Sequence, residues 1–230
     1  LFPKFVDQPA PIVNTDMLNA LIVSNNIVGL TDYYVSNDLV TYTTAYVSGN
    51  FNPDLDPYDV LVVPNGSDHV AMLKIKDKVR AFLDAGNALV CSDGWFTHWV
   101  PGNQWVMDNT KPTIDVRYTL KTDRHTLFDG IDINDLIYSH GMTGWWACGY
   151  IDAASGADVV VEDTWLRPIV VLDEISTGGV MLLTASGPLA DVTYAGKKDG
   201  ALVLLYRNFL RLVDTKKERA SVRLSELTNS

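Results

Sequence analysis

Tyr58-Asp59-Val60-Leu61-Val62-Val63-Pro64-Asn65-Gly66 carries a short apolar run into a Pro-Asn-Gly turn, and Phe82-Leu83-Asp84-Ala85-Gly86-Asn87-Ala88-Leu89-Val90 repeats the pattern after a helix-length interval. Short, nearly continuous apolar runs bounded by turn residues suit strands covered on both faces. Between them Leu73, Val79, Phe82 and Leu83 fall at helical spacing among Lys74, Lys76, Lys78 and Arg80, which predicts an amphipathic helix over Val70 to Ala85, closed by Gly86. Strand, helix and strand in this order make a right-handed parallel unit.

Similar apolar runs lie at Ala20 to Val23, Ala88 to Cys91, Asp158 to Val161, Ile169 to Leu172 and Val180 to Leu183. Leu202, Val203, Leu205, Phe209, Leu210 and Leu212 form a stripe that predicts a helix from about Asp199 to Val213, packed back on the sheet. Residues 100–157 have weaker periodicity and more Gly and Trp, and read as loops and short strands beside the sheet. The expectation is one α/β domain over residues 1–213, followed by a polar tail or linker over 214–230 in which Lys216, Lys217, Glu218 and Arg219 stand together. There is no internal repeat.

The chain has 230 residues and a net charge of -10, so its field repels phosphate backbones and anionic lipid heads. Nucleic acid and membrane surfaces are therefore poor partners, and no apolar run approaches the roughly 20 residues of a membrane span. The opening Leu1-Phe2-Pro3-Lys4 does not resemble an uncleaved signal, so a soluble chain is expected, either cytoplasmic or exported after signal removal. Two cysteines are too few for a disulfide framework or a Cys-rich zinc site. Cys91 ends an apolar run and reads as a buried thiol, and pairing with Cys148 stays open for an exported protein. Oligomerisation is open as well.

The ordered pieces quoted first resemble the core of the class I glutamine amidotransferase-like superfamily, and most closely its ThuA-like (trehalose utilisation-like) branch. Three further stretches are similar to that branch: His125-Thr126-Leu127-Phe128-Asp129-Gly130-Ile131, Gly178-Gly179-Val180-Met181-Leu182-Leu183-Thr184, and Asn208 in the last helix. The resemblance implies a flavodoxin-like three-layer sandwich with a mainly parallel sheet, with ligands beyond the carboxyl ends of the strands. It places Pro64 to His69, Ser92 to Trp99 and Ser186 to Leu189 along one rim.

In amidotransferases a strand-to-helix elbow carries a Cys two residues before a Gly. Here the elbow reads Val90-Cys91-Ser92-Asp93-Gly94-Trp95, and counting back from Gly94 favours Ser92 over Cys91 as the nucleophile. The family's base is a late His followed by Glu, yet no histidine follows His140, and Thr184-Ala185-Ser186-Gly187-Pro188 offers only hydroxyls. Glutamine hydrolysis by that triad is not expected. His98 and His69 are the other candidate bases for Ser92, with Asp68 or Asp93 to orient them; solvated rim histidines are the plainer reading.

No His-x-His or His-x-x-x-His spacing supports a metal site, and neither a dinucleotide fingerprint nor a P-loop is present, so no cofactor is expected. Trp95, Trp99 and Trp145 admit two readings: ring faces that stack on a sugar beside Asn65, Gly66, Asp68 and Asp93, or plugs in the core under long loops. The leading expectation is an amidotransferase-like domain that binds a small polar or carbohydrate ligand. The alternatives are a hydrolase using Ser92, and a structural or interaction module of a larger protein.

Overall fold

Every residue of four parallel strands is buried, so both faces of the sheet are covered. The computed structural model describes residues 17–24, 38–64, 69–91, 96, 98–111, 117–133, 149–185 and 201–228, and within the last of these the side chains of residues 204–218. In chain order the elements are β1 (Leu18–Ser24), β2 (Val40–Tyr46), β3 (Val60–Val63), α1 (His69–Lys74), α2 (Lys76–Asp84) and β4 (Ala88–Cys91). There follow β5 (Gln104–Met107), β6 (Tyr118–Leu120), β7 (Gly149–Asp152), β8 (Asp158–Asp163), β9 (Pro168–Asp173), β10 (Val180–Thr184) and α3 (Ala201–Thr228).

The main sheet has the order β2-β1-β3-β4-β10-β9-β8-β6, and β5 pairs with β7 in a separate two-stranded sheet. The first five strands are parallel, and β9, β8 and β6 extend them antiparallel. With β10 counted as the fifth parallel strand, the order is 2-1-3-4-5, the flavodoxin-like arrangement. The fold is thus α/β with a mainly parallel sheet, and the segment between β4 and β10 supplies the insertion.

All six expected strands are present. β2 was not anticipated: its sequence, Val-Thr-Tyr-Thr-Thr-Ala-Tyr, is rich in β-formers but polar, because it is an edge strand with half-buried residues. The expected helix over Val70 to Ala85 is instead two helices, with Ile75 between them at φ -108°, ψ 13°. Its buried stripe is Met72, Ile75, Val79, Phe82 and Leu83, whereas Leu73 is 37% exposed. Gly86, at φ +93°, ends α2 as anticipated, in a left-handed conformation that glycine adopts without strain.

The last helix does not stop near Val213 but continues to Thr228. Lys, Glu, Arg, Ala and Leu are good helix formers, so the polarity of this stretch was no sign of a helix end. Two of its lysines reach back to the domain. Lys216 pairs with Glu174 at 2.5 Å, and Lys217 pairs with Asp59, which also accepts the Asn19 amide at 2.8 Å. Burial there pulls the Lys217 ammonium below the ordinary lysine range.

The β9–β10 turn is pressed against the end of α2. A β-carbon on Gly179 would collide with the carbonyl oxygen of Asn87, and one on Gly178 would lie 2.5 Å from that of Asp84. Gly178-Gly179 is therefore a close-approach pair. Gly179→Ala is expected to cost about 1–3 kcal/mol in urea unfolding, as overpacking does. Gly49→Ala, whose β-carbon would meet nothing within 4 Å, should stay within about 0.5 kcal/mol of the parent.

Candidate functional site

At the carboxyl edge, register places Cys91 between Val63 on β3 and Leu183 on β10. All three are fully buried, and Cys91 is the buried residue its apolar run suggested. The chain leaves β1, β3, β4 and β10 toward this edge. Asn65, Gly66, Asp68, Ser92, Asp93, Trp95 and Trp145 lie outside the described residues, as do Gly94, His140 and Cys148.

The described neighbours of this edge are held by Trp105. Its indole N–H donates to Ala185 O at 3.1 Å, just past β10, and its amide donates to Phe96 O at 3.3 Å, in the segment that follows β4. A β-carbon on Gly149, across the β5–β7 pair, would come within 2.5 Å of the Trp105 ring. The small inserted sheet is thus docked through one residue onto the segments that follow β4 and β10. Ala185 in turn donates its amide to Ile169 O at 2.9 Å, tying the same point to β9.

His69 opens α1 and is half-buried, while His98 is exposed and sits at φ 51°, in the left-handed region that histidine enters more often than most non-glycine residues. Trp99 is 2% exposed. A ring so enclosed has no free face for a ligand to stack on, so Trp99 fills the core. Among the described residues its indole nitrogen finds no hydrogen-bond acceptor. Among the described residues no group of three His, Cys, Asp or Glu side chains could hold a metal ion, and no helix is long and apolar enough to cross a membrane.

A second polar cluster stands at the opposite edge. Asp173 ends β9 opposite Met181, near the start of β10, so the following residue, Glu174, lies where the parallel strands begin. Glu174 accepts from His125 Nε2 at 2.8 Å and from Lys216 Nζ at 2.5 Å. Burial alone would raise the Glu174 carboxyl, but the hydrogen bonds and charges of Lys216 and His125 outweigh it and hold the group below the ordinary carboxylate range.

The stretch His125 to Ile131 makes the turn that faces this cluster. Asp123 accepts the amides of Leu127 and Phe128 at 2.6 and 2.9 Å, and both side chains are buried. Asn208 of α3 donates to the carbonyls of Leu127 and Asp129 at 2.9 and 3.0 Å. Two of the stretches singled out in the sequence therefore bind each other. Beside them is a cleft of about 410 Å³ lined by His125, Asn208, Arg211 and Lys216, among others. Sequence spacing gave no hint of it, since its residues come from separate elements.

No protein-family model and no curated protein matches the chain. Among solved structures, it is similar to a glutamine amidotransferase from Thermotoga maritima, with 11% identity and a TM-score of 0.43 over 85% of this chain and 94% of that one. The fold assignment rests on the strand order itself.

Trp99→Ala is expected to cost about 3–5 kcal/mol in chemical denaturation, as removal of a buried ring does. A loss under about 1 kcal/mol would mean that the ring does not fill the core. Glu174 also makes stability depend on pH. Its folded-state pKa is lowered, so its contribution is complete above the unfolded value of about 4.3 and fades as pH falls through the folded value. The melting-temperature advantage of the parent over Glu174→Gln should therefore shrink below about pH 4. A constant difference from pH 7 to pH 2 would contradict the assignment.

Proposed function

We propose that the chain is an amidotransferase-like domain of the ThuA-like kind that lacks glutaminase activity and binds a small polar or carbohydrate ligand at the carboxyl edge near Ser92. The observation that carries this reading is what β10 brings beside β4. Leu183 stands opposite Cys91, and the chain then continues as Thr184-Ala185-Ser186-Gly187-Pro188. In the amidotransferases that this sequence resembles, the equivalent segment supplies the imidazole. Here it supplies hydroxyls, and the chain has no histidine after His140. A serine or cysteine without a positioned base reacts slowly, so binding is the activity left to the edge.

The 2-1-3-4-5 strand order supports the location, because open α/β sheets bind ligands beyond the carboxyl ends of their strands. Asn65, Gly66, Asp68 and Asp93 are the polar partners for ligand hydroxyls. Trp95 and Trp145 are the candidate stacking rings, since Trp99 and Trp105 are buried.

Incubation with glutamine is expected to release no ammonia above the buffer blank. In a thermal-shift screen of mono- and disaccharides, at least one sugar should raise the melting temperature, and Trp95→Ala or Trp145→Ala should weaken that shift without lowering the unliganded value. Ammonia release that disappears in Cys91→Ala or Ser92→Ala would overturn the reading. Ser92-dependent hydrolysis of an ester or glycoside, lost in His98→Ala or His69→Ala, would favour the hydrolase instead.

A further inference from the structure

The amino-edge cleft is built with its hydrogen-bonding groups already sorted. Both amide hydrogens of Asn208 are engaged by the Leu127 and Asp129 carbonyls. That fixes the amide and leaves its Oδ1 as an acceptor. His125 meets Glu174 through Nε2 at 2.8 Å. That contact with the carboxylate holds the ring in place. Thr126 donates its hydroxyl to His125 O at 2.7 Å, and Thr215 donates its own to Arg211 O at 2.9 Å. Those two hydroxyls are thereby left with lone pairs only.

Two full charges line the same cleft. Lys216 is neutralised by Glu174. Arg211 and Asp129 are both exposed, and among the described residues neither the guanidinium nor the Asp129 carboxylate makes a hydrogen bond or ion pair. Arg211 follows Asn208 by three residues on α3 and so lies on the same helix face, while Asn208 holds the Asp129 backbone. The cleft thus offers one planar cation that pairs a carboxylate through two hydrogen bonds, one carboxylate, and several neutral acceptors around them.

We propose that this cleft binds a small zwitterion, a free amino acid. Its carboxylate pairs with Arg211, and its ammonium is received by Asp129 together with Asn208 Oδ1. An ammonium has three donors and no acceptor, which matches a lining that offers the Asp129 carboxylate, Asn208 Oδ1 and the lone pairs of two threonine hydroxyls. A volume of about 410 Å³ lies at the lower end of small-molecule pockets and suits a ligand of this size. The site is independent of the carboxyl-edge reading, from which it is separated by the length of the strands.

Calorimetric titration of the full chain tests this with a panel of L-amino acids up to 10 mM, together with glycerate and ethanolamine, which are serine with a hydroxyl in place of the ammonium and serine without the carboxylate. At least one amino acid should bind, and glycerate and ethanolamine should bind at least tenfold more weakly than serine or not at all. Arg211→Gln and Asp129→Asn replace exposed side chains and should keep the parent melting temperature while each weakens binding at least tenfold. Ser92→Ala should leave it unchanged. Absence of binding across the panel overturns the proposal. So does glycerate binding as tightly as serine, an undiminished affinity in Arg211→Gln or Asp129→Asn, or loss of amino-acid binding in Ser92→Ala, which would assign the ligand to the carboxyl edge.

Discussion

Burial of the parallel strands on both faces is the constraint on which the rest of the molecule depends. β1, β3, β4 and β10 expose none of their residues, so no polar side chain of chemical use can stand on the sheet without a desolvation cost. Chemistry is displaced to the two edges. The same constraint makes the crossover helix bury Met72, Val79, Phe82 and Leu83, and it leaves Gly178 and Gly179 no room for a side chain where the β9–β10 turn meets α2.

The antiparallel extension solves a different problem, that of turning the chain within a buried layer. Asp163 and Asp173, both nearly inaccessible, close β8 and β9 by accepting amides of the following turn. Asp163 Oδ1 takes those of Trp165 and Arg167 at 2.9 and 3.0 Å, and Asp173 Oδ1 takes those of Ile175 and Ser176 at 2.8 and 2.9 Å. Their other oxygens meet Arg167 Nε at 2.7 Å and the Asn103 amide at 2.6 Å. Each buried carboxylate is therefore used fully in holding a turn. They are structural acids, with no lone pair directed to a reaction.

The parallel core was legible because its residues answer to one demand, burial on both sides, and apolar runs such as Val60–Val63 and Ala88–Cys91 record it directly. β2 was hidden because an edge strand half-open to water needs only β-forming residues, and Thr41, Thr43 and Thr44 resemble a loop as much as a strand. The length of α3 was hidden for a related reason: Lys216 and Lys217 read as solvated charges, but their partners Glu174 and Asp59 are remote in sequence. His125 to Ile131 stood out as a stretch, and the structure gives it a physical basis in the Asp123 and Asn208 hydrogen bonds. Glu174 and Arg211 had no such signal. Convergence of isolated charges from a turn, a hairpin and a helix leaves no spacing to read.

Separation of the two edges bears on how a ligand at one could influence the other. The parallel strands run four to seven residues, about 13–23 Å at 3.3 Å per residue. α3 is the element that follows β10 among the described residues, and Asn208, Lys216 and Lys217 fasten it to three separate segments at the amino edge. A ligand couples two sites only by favouring one of two arrangements of an element they share. α3 is held at three points on the amino-edge side, two of them ion pairs of partly exposed lysines. Coupling between the two proposed sites would therefore have to act through those contacts, and without it each proposed site answers to its own chemistry.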